Sequence, residues 1–189
     1  MPPWLPRHRR GKLGSMTQPQ EDAACEVAHG HGPESATDRT LIAAFVSPVA
    51  QYLIHFARDA GFRVVLVEPD LALAGTEWVR RYPVTGEIRG QLDETADVVV
   101  TDHHRPELGP VLRDALDSKA RWIGIMGNPR HPAPHIPALR ELGVPEADIA
   151  RVHRPIGLNI GSRTPPEIAI ATLAGLIADR NGRPGGFEF

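Results

Sequence analysis

Apolar residues along this chain fall into short runs at two different spacings. Thr40-Leu41-Ile42-Ala43-Ala44-Phe45-Val46 is an apolar run of strand length, suited to a parallel strand buried on both faces. From Pro48 to Ala60, residues Val49, Leu53, Ile54, Phe56, Ala57 and Ala60 form one helical stripe that Gly61 closes. Arg63-Val64-Val65-Leu66-Val67 predicts a second strand ending at Glu68, Gly86-Glu87-Ile88 a short third, and residues 96–101 a fourth. A helix is expected from about Pro106 to Leu116, a fifth strand from Arg121 to Met126, and shorter helices around 137–142 and 146–151. The last element is the best marked. Thr164 is placed as an N-cap, Pro165 fits the first helical position, and Glu167 completes a capping box. Its apolar run closes at Arg180-Asn181-Gly182, with Pro184 just beyond. Strands alternating with helices predict an α/β fold: a Rossmann-like doubly wound parallel sheet in a single domain.

The pattern fails at both ends. Residues 1–38 mix Pro, Gly, Gln, Ser, His and charges without period and are expected to be a disordered tail. The domain is then 39–183, with a short C-terminal tail at 184–189. His29 and His31 lie in the first tail, and no metal site is expected from them. Arg7, Arg9, Arg10 and Lys12 precede no apolar stretch, so a secretory signal is not expected, and Met16 offers a second starting methionine. With 41% hydrophobic and 23% charged residues, the composition is that of an ordinary globular protein. A net charge of −2 gives no electrostatic footprint for nucleic acid or an anionic membrane. Cys25 is the single cysteine, which leaves no intrachain disulfide and fits a cytoplasmic location.

Candidate chemistry collects where a doubly wound sheet binds ligands, beyond the carboxyl ends of its strands. In Rossmann folds the first strand–helix turn is G-x-G-x-x-G. Here Phe45, Ser47 and Ala50 take the three glycine positions, and Pro48 removes a donor N–H from the phosphate cradle. NAD(P) is therefore disfavoured in this turn, although Glu68 is placed to accept hydrogen bonds from a ribose. After the fourth strand come Asp102, His103 and His104, open to three readings: acid–base groups, metal ligands or polar loop residues. Gly124 and Gly127 end the fifth strand, where backbone can approach a ligand and Arg130 can pair with a phosphate. Gly157, Asn159, Gly161, Arg163 and Thr164 lead into the capped helix, whose free N–H groups favour an anion. His131 and His135 have metal-pair spacing, but Pro132, Pro134 and Pro137 argue against the helix such a pair needs.

The segment from Pro155 to Ala171 reads P-I-G-L-N-I-G-S-R-T-P-P-E-I-A-I-A, and it resembles the C-terminal signature of the XdhC/CoxI family. Asn159 stands at the family's usual Asp and Ser162 at its usual Ala. The resemblance continues through Trp122–Asn128 and Leu142–His153 and covers roughly residues 40–182, the Rossmann half of that family. It implies an accessory factor in the maturation of molybdenum hydroxylases of the xanthine or carbon monoxide dehydrogenase type, assisting molybdenum cofactor handling or insertion. The implied partners are an apo molybdenum hydroxylase and a separate XdhC N-terminal-type protein carrying the family's cysteine motif. A homodimer is compatible with the resemblance. Two alternatives stay open: a nucleotide-dependent oxidoreductase and a non-catalytic Rossmann binding module.

Overall fold

A computed structural model describes residues 38–128 and 130–186. Apart from Asp38, the expected tail lies outside these residues, as do Cys25, His29 and His31. The elements are β1 (Thr40–Ala44), α1 (Pro48–Asp59), β2 (Arg63–Val67), α2 (Leu71–Arg81), β3 (Val84–Thr85), a 3-10 turn (Arg89–Gln91) and β4 (Ala96–Val100). They continue as α3 (Leu108–Leu116), β5 (Trp122–Ile125), α4 (His135–Glu141), α5 (Glu146–Ile149) and α6 (Pro165–Arg180). All strand pairs are parallel, in the order β3-β2-β1-β4-β5. The α/β, Rossmann-like reading therefore holds.

Burial explains the unbroken apolar runs. β1 and β4 sit at the centre with every residue buried, so alternate side chains feed two different layers. Ile42, Ala44, Val98 and Val100 pack with Leu112 and Leu139 on one face. On the other, Leu41, Ala43 and Val99 pack with Leu53 and Ile54 of α1 and Leu173 and Leu176 of α6. Charged side chains interrupt this core, Asp97 in β4 and Glu68 after β2 among them. Asp97, fully buried in β4, pairs with Arg39 just before β1 and with Arg121 just before β5 (2.8 Å). Arg121 also reaches Asp179 near the end of α6 (2.6 Å). Burial pushes the Asp97 carboxyl up, against the opposing pull of Arg39 and Arg121. These contacts fix the C-terminal end of α6 at the amino edge of the sheet. At 1.5 Å per residue its N-terminus lies about 24 Å away, at the carboxyl edge.

Three expectations need correction. The third strand is Val84–Thr85, two residues before the expected Gly86–Ile88. α2 was not anticipated: Gly75 interrupts it at φ +60, and Leu71 and Leu73 are half exposed, which blurs the helical stripe. α4 begins at His135, with Pro137 in its first turn, where a missing N–H leaves no bond unmade. His131 remains outside that helix, so no helical His131–His135 pair forms. Beyond β5 the chain returns alongside it: Ile125 N–H donates to the His153 carbonyl at 3.0 Å, and His153 N–H to that of Ile123 at 2.9 Å. The Trp122 and His153 rings stack with centroids 5.0 Å apart.

Candidate functional site

In this strand order the winding reverses between β1 and β4, and a dinucleotide would lie across their carboxyl ends. That place is filled by the protein's own groups. Phe45 adopts φ +76, the left-handed conformation that glycine meets without strain, and its ring is fully buried. The Arg105 guanidinium lies over this ring, 5.0 Å from its centroid. It then donates two bonds to the buried Glu68 carboxylate, Nη1 to Oε2 at 3.0 Å and Nη2 to Oε1 at 2.8 Å. Glu68 also accepts from the N–H of Val46 at 2.9 Å and of Asp70 at 3.1 Å. This carboxylate, expected to face a ribose, is thus committed to four protein donors.

The phosphate position is occupied in the same way. Ser47 Oγ accepts from Ala50 N–H at 3.0 Å, which makes it the N-cap of α1, and Pro48 follows in the first turn. Its hydroxyl donates to Thr101 Oγ1 at 3.0 Å, which in turn lies 2.9 Å from the Phe45 carbonyl. Thr101 thereby stitches the end of β4 to the first turn.

Beyond Thr101 the loop opens outward. Asp102 Oδ1 accepts from His104 N–H at 2.9 Å, and the two imidazoles of His103 and His104 face each other 4.2 Å apart. Burial and the His104 ring hold His103 below the ordinary imidazole range, with the Met126 backbone opposing them. The glycines in and just after β5 serve packing. A Cβ on Gly124 would overlap Trp122 and Ile156, and one on Gly127 would sit 2.6 Å from Arg154 Nε. Arg154 Nη2 binds the carbonyls of Asn128, His131 and Pro132 at 2.8, 3.2 and 3.2 Å and so shapes that loop.

Gly157 is also a packing residue. At φ +84, a Cβ on it would lie 2.9 Å from the α6 backbone at Ala171 and Thr172. Asn159, Gly161, Arg163 and Thr164 are exposed. Glu167 closes the capping box, its Oε2 accepting from Arg163 N–H at 2.7 Å and Thr164 N–H at 3.1 Å. Those two bonds hold its carboxyl below the usual range. The helix terminus thus already carries an anion of its own. Among the described residues, the guanidinium groups of Arg130 and Arg163 have no hydrogen-bond or ion-pair partner.

Sequence reasoning missed Arg105 and Arg154. Each is a single arginine in a polar loop, and its side-chain hydrogen-bond partners lie 22 to 37 positions away. Position was the available signal for Arg105, since it closes the same loop as Asp102, His103 and His104.

Residues 41–176 match the family model described as the XdhC Rossmann domain. The chain belongs to the XdhC family. Over 78 residues this XdhC domain is 44% identical to "Uncharacterized protein YqeB" of Escherichia coli (strain K12), a match covering 39% of the chain and 14% of that protein. In fold it is similar to a xanthine dehydrogenase crystal structure from Bacillus halodurans, with a TM-score of 0.62 and 22% identity. That likeness covers 76% of the chain and 45% of the solved one. The XdhC chain therefore spans less than half the length of either relative.

Proposed function

We propose that this XdhC chain is an accessory protein in the maturation of molybdenum hydroxylases, with molybdenum cofactor as its cargo. The observation that carries the reading is the Glu68–Arg105 pair stacked on Phe45, which fills the crevice a dinucleotide enzyme would keep open. Family membership supports the direction of the assignment. An anionic end of the cargo fits the carboxyl edge, where Arg130 and Arg163 would hold it through charge-assisted bonds. His103 and His104 would flank it as polar contacts. Among the described residues no group of three His, Cys, Asp or Glu side chains could hold a metal ion, so the fit is to the anionic end of the cargo. The family's cysteine-bearing half is the source of sulfur chemistry in this proposal, supplied in reconstitution as a second protein of the XdhC N-terminal type.

Reconstitution tests the proposal: purified chain, molybdenum cofactor and apo-hydroxylase, with and without that second protein. Hydroxylase activity should rise only when both proteins are present, and Arg130→Ala with Arg163→Ala should lower it. Activation by this chain unaided would overturn the division of labour. Failure of both mixtures would overturn the maturation role.

A further inference from the structure

A second concave site lies toward the amino edge of the sheet, away from Arg130 and Arg163. α1 ends there at Asp59, shortly before β2 starts at Arg63, and α2 ends at Arg81, shortly before β3 starts at Val84. Between the two helices is a cleft of ≈290 Å³ lined by Gln51, Tyr52, His55, Arg58, Arg81 and Tyr82. Gln51, His55 and Arg58 recur at i, i+4 and i+7, so α1 turns one face to the cleft. The volume is at the small end of ligand sites and suits one small molecule, not a dinucleotide.

Both arginines of the cleft are exposed. The Arg58 guanidinium lies over the Tyr82 ring, 5.5 Å from its centroid, and among the described residues it has no hydrogen-bond or ion-pair partner. Stacking orients a guanidinium without using its N–H groups, which leaves the fork of donors for a ligand. Arg81, 59% exposed, lies 3.9 Å from the exposed Glu77 carboxylate. A surface pair at that distance contributes little and yields to a better acceptor. Asp59 lies 3.7 Å from His55 and offsets any charge on that ring. Tyr52 is 40% exposed, and the Trp78 and Tyr82 rings stand 5.8 Å apart beside it in the same groove. Basic residues in the last turn of a helix ordinarily complement its dipole. That accounts for each arginine singly, but not for the aromatic cleft they share. We propose that this cleft binds a small aromatic phosphate monoester, whose phosphate accepts from Arg58 and Arg81 while its ring rests on Tyr52. Two guanidiniums match a head with close to two negative charges at neutral pH, which a phosphate monoester has and a carboxylate lacks. Inorganic phosphate would leave the tyrosine uncovered, and an uncharged aromatic would leave both cations unmatched.

Calorimetry and NMR of the full chain test this, in a background carrying Arg130→Ala and Arg163→Ala so that the guanidiniums at the other edge contribute nothing. The probes are phenyl phosphate, adenosine monophosphate, inorganic phosphate, phenol and benzoate. Saturable binding with shifts at the His55 ring is expected for phenyl phosphate or adenosine monophosphate, at least tenfold tighter than for the other three. The tighter of the two shows whether the ring carries its phosphate directly or through a sugar. Arg58→Gln and Arg81→Gln should each weaken that binding at least tenfold at an unchanged urea midpoint, since both positions are exposed. Tyr52→Ala should abolish the advantage of the monoester over inorganic phosphate. Equal affinity for inorganic phosphate, phenol or benzoate in the unsubstituted cleft would overturn the proposal. So would the absence of saturable binding by both monoesters, or binding that persists in both arginine variants.

Discussion

At the scale of single residues, the Glu68–Arg105 pair is the most consequential contact. Both side chains are nearly or fully buried, with Glu68 at 0% and Arg105 at 13% exposure. Breaking such a pair from one side leaves an uncompensated charge in the interior. Arg105→Met should cost about 3–5 kcal/mol in urea unfolding, while Arg105→Met with Glu68→Gln, which removes the buried charge but keeps an amide oxygen for the Val46 or Asp70 N–H, should recover part of it. A double variant no more stable than the single would show that the loss did not come from the uncompensated Glu68 charge. The sequence announced Glu68 as an acid ending a strand but not its partner, because a salt bridge across 37 positions exists only once β1, β2 and β4 align. His135 carries a second prediction. Its pKa is lowered in the fold by burial and by Arg154, so the unfolded chain takes up a proton first as pH falls below about 6.5. Stability present above that value is then lost on acidification through the lower folded pKa. The wild type should lose up to about 1.4 kcal/mol per pH unit more than His135→Gln in this window, measured by urea midpoints from pH 7.5 to 5.5. Parallel profiles for the two proteins would remove His135 as the cause.

At the scale of elements, legibility tracked the length and purity of the hydrophobic pattern. β1, β2, β4 and β5 were readable as apolar runs because both faces of the central strands are covered. α6 was readable from its cap, and its N-terminus carries the expected Thr164–Glu167 box. α2 was hidden by Gly75 and by leucines that face outward. Gly157 and Gly161 are expected to lead into an anion-favouring helix start, yet Gly157 faces α6. There the Leu158 N–H bonds the Ala171 carbonyl at 3.0 Å, and Gly175 lets the two backbones meet. Gly157→Ala should therefore destabilise the domain by about 2–4 kcal/mol, from a left-handed φ and a Cβ forced against helical backbone. Gly161→Ala, also left-handed but with open space around its Cβ, should cost only the conformational part, about 1–2 kcal/mol. Urea unfolding of the two variants separates the contributions, and equal losses would show that packing against α6 contributes nothing.

At the scale of the whole molecule, the two edges of the sheet have different tasks. The amino edge is locked by Arg39, Asp97, Arg121 and Asp179, whereas at the carboxyl edge Arg130 and Arg163 have no partner among the described residues. Calorimetry should show no micromolar binding of NAD or NADP, because Phe45, Ser47 and the Glu68–Arg105 pair would all have to move first. A micromolar constant for either nucleotide would restore the oxidoreductase reading. The flanks of the sheet matter in another way. On one side β3 offers only two residues, and on the other the backbone at Ile123 and Ile125 is already bonded to His153. Sheets grow into fibrils by recruiting new strands along exposed borders, and proteins resist this by making those borders short or covering them. Both devices are present here, so along the described borders of the sheet a second copy of the chain meets no long ladder of free amides to extend.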